Sequence, residues 1–319
     1  MSEPADDPPG GAGGSGRPAL PDRAVAEALE ELDTPLDYIR WGASRFNEFG
    51  LVFGHGTDNA VDEALCLVLH ALHLAPGVPD EVLRARLTRA EKVAVTELLR
   101  RRIETRKPAA YLTREAWFAG LRFYVDERVL VPRSPLAEWI ERGFEPWLDP
   151  NRVQRVLDLA TGSGCIAIAC AAAFPEAQVD ASDISGDALA VAALNVRDHG
   201  LESRVQLHHS KGFDALPEAY DLIVSNPPYV SLASYETLPR EYRYEPEQGL
   251  VAGADGLAVV DEILRDARDH LTPGGLLVVE VGESAPALVE KYPHLPFTWL
   301  DMTRGGDHVF ALTREQLPA

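Results

Sequence analysis

The rhythm of apolar and polar positions changes partway along the chain. Over residues 21–106 the apolar side chains recur at helical spacing. Thr57-Asp58-Asn59 offers a start signal, and the pattern predicts a helix over 60–73. Pro76-Gly77-Val78-Pro79 interrupts it. A second helix, over 88–105, is expected to gather Val93, Leu98 and Ile103 on one apolar side. Lys107-Pro108 opens a connector, and residues 117–125 read as a hairpin turning at Ala119-Gly120.

Beyond the connector, short apolar runs alternate with longer amphipathic stretches. Strands are predicted over 153–157, 178–182, 205–208, 220–225 and 276–281, the last after the turn Thr272-Pro273-Gly274-Gly275. Helices are predicted over 165–174, 186–199 and 257–270. Residues 297–300 and 309–312 are expected to form a terminal antiparallel pair. This alternation implies an α/β fold with helices on both faces of one sheet. The expected division is a disordered tail (1–20), a helical domain (21–107), a connector with a β-hairpin (108–135) and the α/β domain (136–319).

Two motifs lie at strand ends. The glycine turn Asp158-Leu159-Ala160-Thr161-Gly162-Ser163-Gly164 follows a strand and opens a helix. Small residues there let backbone approach a ligand, and free helix N–H groups favour its polar part. The spacing is neither the dinucleotide fingerprint nor a phosphate loop. Asp183 ends the next strand, where a carboxylate can accept hydrogen bonds from a ribose diol. Asp158 either orients the turn or receives a ligand's cationic amino group. The structural alternatives are an Asx turn for Asp158 and helix capping for Asp183.

The second motif, Asn226-Pro227-Pro228-Tyr229, closes the strand over 220–225. The side-chain oxygen of Asn226 can accept one hydrogen of a planar NH2 group, and the carbonyl of Pro227 the other. Two prolines stiffen the backbone and remove competing donors. Tyr229 can lie against the flat group. Such a pocket suits methyl transfer from S-adenosylmethionine to an amide or exocyclic amine, whose lone pair is otherwise spread over a π-system. His208 and His209 read as strand-end surface residues rather than bases.

Composition narrows the classes. A formal net charge of -20 disfavours nonspecific tracking along nucleic acid. Against that background Arg100-Arg101-Arg102 with Arg106-Lys107 stands out. It reads as cation placement at a helix C-terminus, with an RNA contact as the second reading. Three cysteines, Cys66, Cys165 and Cys170, make no disulfide framework and point to a reducing compartment. No spacing resembles a metal site, no segment reaches membrane-spanning length, and residues 1–16 lack the features of a signal peptide, so a cytoplasmic location is expected.

At these motifs the chain resembles the seven-strand, Rossmann-like S-adenosylmethionine-dependent methyltransferases, and within them the bacterial protein-glutamine N5-methyltransferases. The likeness extends over residues 49–317. It is carried by Phe53-Gly54-His55-Gly56-Thr57-Asp58-Asn59, Val129-Leu130-Val131-Pro132-Arg133-Ser134-Pro135, the glycine turn, Asn226 to Tyr229, and Glu241-Tyr242-Arg243-Tyr244-Glu245-Pro246. Arg133-Ser134-Pro135-Leu136 favours the branch that modifies the third protein of the large ribosomal subunit over the branch acting on release factors.

The resemblance implies that S-adenosylmethionine is held by Asp158, Thr161, Gly162, Gly164, Asp183, Ile184, Phe213 and Asn226. It implies that the substrate glutamine is held by Asn226, Pro227, Pro228 and Tyr229, with Phe123 and Pro132 enclosing the reacting end. The helical domain would recognise the surrounding protein. One departure is visible: where relatives often carry an acidic residue near the adenine amine, this chain reads Ser210-Lys211-Gly212-Phe213. Adenine is then expected to rest on the backbone of Lys211-Gly212 and on Phe213. Rival functions are release-factor glutamine methylation, DNA adenine methylation, and ribosome assembly without catalysis.

Overall fold

The computed structural model describes residues 19–214, 216, 219–303 and 308–318. The tail expected over 1–20 lies almost wholly outside them.

Six helices open the described chain: α1 (Asp22–Glu31), α2 (Pro35–Glu48), α3 (Ala60–Ala71), α4 (Asp80–Leu83), α5 (Arg89–Thr105) and α6 (Ala109–Thr113). Local chemistry sets their starts. The Thr34 side chain accepts from the Asp37 N–H while Asp37 reaches back to Thr34, and Thr88 with Glu91 repeats this box at α5. Asn59 caps α3. Each such cap contributes about 1 kcal/mol. Tyr38, Phe46, Leu67, Leu99 and Ile103 form the shared core of this layer. Val93, expected on the apolar side of α5, is instead 47% exposed. Steps of five residues rotate about 140° around a helix, so the inward stripe follows Val95, Leu98, Leu99, Arg102 and Ile103.

The hairpin is present as β1 (Glu115–Phe118) and β2 (Leu121–Tyr124), paired antiparallel. Ala119 and Gly120 both take positive φ in its turn. After α7 (Leu136–Glu141) come β3 (Arg155–Leu159), α8 (Cys165–Ala173), β4 (Gln178–Asp183), α9 (Gly186–Asp198), β5 (Val205–His209), β6 (Tyr220–Ser225) and α10 (Leu232–Thr237). The chain ends with α11 (Ala258–His270), β7 (Leu271–Glu280), α12 (Ala285–Lys291), β8 (Thr298–Trp299) and β9 (Val309–Thr313). Strand β7 begins at Leu271, before the glycine pair, and its pairing with β6 shifts register between Tyr220 and Leu222.

Among the described residues the main sheet has seven strands in the order β5-β4-β3-β6-β7-β9-β8. The first five of these are parallel; β9 runs antiparallel to both β7 and β8. Alternate residues serve opposite faces. Val156, Leu222, Val224 and Val278 pack toward α7 and α8, while Leu157, Ile223, Leu277 and Val279 pack toward α11 and α12. The chain reverses its direction of growth between β3 and β6, which opens a crevice beyond their C-terminal ends.

Candidate active site

A cavity of about 310 Å³ fills that crevice. Its floor is made by the strand ends: Leu159 of β3, Asp183 of β4, Ser210 after β5, and Ser225 with Asn226 at the end of β6. Residues 128–130 of the connector and Pro246, Gln248 and Gly249 line it from the loops, and α11 supplies Val259, Glu262 and Ile263.

The glycine turn is built around two carboxylates. Asp158 is fully buried and does not reach the cavity. Its Oδ2 accepts from Thr161 Oγ1 at 2.5 Å and from the Ala167 N–H at 3.0 Å, so it ties the turn to the first turn of α8. Its Oδ1 is buried without a hydrogen-bond partner. Burial pushes this carboxyl up to about 7, against the pull of those two donors. Of the two roles open to Asp158, orienting the turn is the one its contacts perform.

Asp183 does line the cavity, and its oxygens accept from the Gly162 and Ser185 N–H groups at 2.9 and 2.8 Å. Burial raises its pKa above the ordinary carboxylate value. Gly162 holds φ +54°, and a Cβ there would meet nothing within 4 Å, so the backbone is open to an approaching ligand. Gly164 and Thr161 lie behind this surface. A Cβ on Gly164 would stand 3.2 Å from that of Ala192, which sets how closely α9 approaches. Asn195 of α9, which no motif or periodicity marks out, accepts from the Tyr124 N–H and donates to the Ser163 and Tyr124 carbonyls. It fastens the hairpin to the turn.

Asn226 and Pro228 line the cavity, while Pro227 is buried behind them. No side-chain hydrogen bond engages Asn226 among the described residues. Its amide oxygen is therefore available to a ligand. Ser225 Oγ donates to the Leu159 carbonyl at 2.8 Å and locks β6 against β3 just before the motif. Tyr229 turns away from this cavity. Its hydroxyl donates to Glu280 Oε1 at 3.0 Å, and Ser284 Oγ donates to its carbonyl at 2.8 Å.

Phe123 and Pro132 are placed apart from the cavity. Phe123 is buried among core residues of the α8 side, its ring 5.1 Å from His199, because the alternation of β2 turns it inward. Pro132 is buried between Val131 and Arg133. Ile184 and Phe213 do line the cavity; Phe213 is also stacked on His270, with centroids 4.5 Å apart. His208 and His209 are absent from the lining and bond instead to Asp180 and to the Ile184 carbonyl.

Behind the Asn-Pro-Pro-Tyr segment lies a buried charged network that spacing alone does not reveal. Glu280 accepts from Tyr229 and, at 2.5 Å, from Ser134 Oγ. Burial raises its pKa against those bonds. Arg133 grips both oxygens of Glu245 at 2.5 and 2.9 Å, and the Val131 N–H donates to the same carboxylate. His55 of the helical layer lies 3.6 Å from Glu245. Burial pushes Glu245 up, but Arg133 and His55 outweigh it and hold the carboxyl at about 2.

The basic run serves this scaffold. Arg102 is fully buried, paired with Glu63 at 2.7 Å and donating to the Val52 carbonyl. Arg106 pairs with Glu241 at 2.7 Å and donates to the Phe49 and Gly50 carbonyls. Lys107 pairs with Glu127. Three of the five cations thus tie α5 and the residues just after it to neighbouring segments. Only Arg100 and Arg101 remain on the outside, with Arg100 paired to Glu97. The helix stands as the origin of the run, but its cations are spent on interior contacts rather than on a solvent patch.

Among the described residues no three His, Cys, Asp or Glu side chains converge to hold a metal ion, and no helix is long and apolar enough to cross a membrane. The open glycine turn, the Asp183 carboxylate and the apolar slot around Phe213 suit a nucleoside-bearing ligand. The free amide of Asn226 at the other side suits a planar nitrogen donor.

Known proteins similar to this chain are methyltransferases. A family model described as a methyltransferase small domain matches residues 145–238. A solved methyltransferase from Pyrococcus furiosus is 18% identical and covers 61% of this chain and 89% of its own, at a TM-score of 0.44. The ribosomal protein uL3 glutamine methyltransferase of Neisseria gonorrhoeae is 51% identical over 292 residues, covering 91% of this chain and 98% of its own. The enzyme of the same description from Bordetella pertussis is 51% identical over 290 residues, covering 90% and 97%. Matched along nearly its whole length at half identity, the chain belongs to the family of ribosomal protein uL3 glutamine methyltransferases.

Proposed function

We propose that this protein transfers a methyl group from S-adenosylmethionine to the side-chain amide nitrogen of a glutamine in ribosomal protein uL3. One observation carries the chemistry: Asn226 presents an unengaged amide to the same cavity that Asp183 and Gly162 line. The identity to uL3 glutamine methyltransferases supports the substrate.

When bound, the cofactor supplies an electrophilic sulfonium methyl. The chain must then make a poor nucleophile competent. Asn226 Oδ1 and the Pro227 carbonyl accept the two amide hydrogens, and this directs the nitrogen lone pair toward the methyl. The stiff Pro227-Pro228 pair fixes both acceptors beforehand, so little reorganisation is needed as charge develops. Bound there, the cofactor would give up its methyl carbon to the nitrogen and leave as the neutral thioether. Transfer would leave the nitrogen strongly acidic, and its proton would pass to water. Asp183 holds the ribose and Gly162 lets the ligand close on the backbone.

The helical layer recognises the protein around the glutamine. The acidic balance of the chain suits a basic ribosomal partner. A labelled-cofactor assay should compare purified uL3, a release factor and adenine-containing DNA. Label is expected in uL3; label confined to the release factor or to DNA would replace this substrate with that one.

A further inference from the structure

Among the described residues two carboxylates line the cavity, Asp183 and Glu262. Asp183 belongs to the glycine-turn region and is held by the Gly162 and Ser185 N–H groups. Glu262 comes from a different element, α11, and nothing in the glycine-turn or Asn-Pro-Pro-Tyr motifs accounts for it. It stands opposite the segment where the chain carries Lys211-Gly212 in place of an acidic residue. Lys211 Nζ lies 3.1 Å from Glu262 Oε1. Gly212 holds φ +52°, and a Cβ there would be 3.9 Å from Glu262 Oε2. That second oxygen has no hydrogen-bond partner among the described residues. Phe213, Val259 and Ile263 form apolar walls beside it. A flat slot with an acceptor-only group at its edge recognises a ring that bears N–H donors.

We propose that Glu262, steadied by Lys211, reads the exocyclic amino group of the cofactor's adenine ring. This rests on the cofactor assignment above and gives the recognition task to α11 instead of the segment after β5. A carboxylate only accepts hydrogen bonds, so it favours an amino group and opposes a carbonyl at the same ring position. Lys211 occupies one oxygen and leaves the other for the ligand. The pair is partly exposed, so its value lies in placing the acceptor rather than in the ion pair itself.

Calorimetry on the full chain tests this with S-adenosylhomocysteine and S-inosylhomocysteine, in which a carbonyl replaces the amino group. The unaltered protein should prefer the adenosyl compound by at least about tenfold. Glu262→Ala should lose about tenfold in affinity for the adenosyl compound and little for the inosyl one. Glu262→Gln, whose amide can donate, should bind the inosyl compound more tightly than the unaltered protein does. An unchanged preference in both variants overturns the assignment, as does an equal loss for both ligands, which would mark a merely structural role. If the unaltered protein bound neither ligand, the cofactor assignment itself would fall.

Discussion

Tyr229 donates its hydroxyl to Glu280, and its ring lies directly over Gly282. Gly282 holds φ +42°, and a Cβ there would come within 2.5 Å of Tyr229 Cε2. An aromatic ring buried on one side has no room to yield, so Gly282→Ala must push Tyr229 and the Asn226 backbone out of place. A shift of about 1 Å at a reacting centre is enough to slow turnover about 10²-fold. Steady-state kinetics should show that loss in kcat, with cofactor affinity nearly unchanged.

Asn226→Ala removes one of the two acceptors assigned to the substrate amide. Loss of a preorganised hydrogen-bonding partner of this kind lowers kcat by about 10²–10³-fold. S-adenosylhomocysteine affinity, measured by calorimetry, should stay within about twofold because Asp183 and Gly162 are untouched. An equal loss in both quantities would move Asn226 to the cofactor side of the pocket.

Glu245→Ala leaves the Arg133 guanidinium buried without its carboxylate. Breaking a buried pair in this way destabilises by about 3–5 kcal/mol, measurable by urea unfolding. The pH dependence has a definite sign. The folded-state carboxyl sits at about 2, below its ordinary 4.5, so its contribution is present above pH 4.5. That contribution fades as the pH falls from 4.5 toward 2, and Glu245→Gln should flatten this part of the profile.

Asp158 has the opposite sign. Its folded-state carboxyl lies at about 7, above the ordinary 3.8. Its contribution is therefore full below pH 3.8 and is lost as the pH rises toward 7. Relative to Asp158→Asn, the unaltered protein should lose unfolding free energy across that window. A parallel pair of profiles would show that Asp158 stays ionised in the folded turn.

Much of the catalytic half was legible because parallel strands buried on both faces appear as short apolar runs between turns. The glycine turn and the Asn-Pro-Pro-Tyr segment were readable for a related reason: each packs its chemistry into a few consecutive residues. What stayed hidden depends on residues far apart in the chain. Arg133 and Glu245 are separated by 112 positions, Ser134 and Glu280 by 146. Neither pair leaves a periodic trace. The run at Arg100 does end a helix, as its position suggests, but spacing alone does not show that Arg102 turns into the core while Arg101 faces out. Phe123 was assigned to the reacting end by likeness, whereas strand alternation directs it into the core.

Glu241 accepts from the Val52 N–H and from Arg106, close to the Glu63–Arg102 pair, while the Tyr244 hydroxyl donates to the Thr105 carbonyl. The segment just downstream of the acceptor motif is therefore bolted to helices near the start of the chain. Any displacement of those helices is thus passed directly to residues 241–244, through ion pairs and backbone bonds that have little slack.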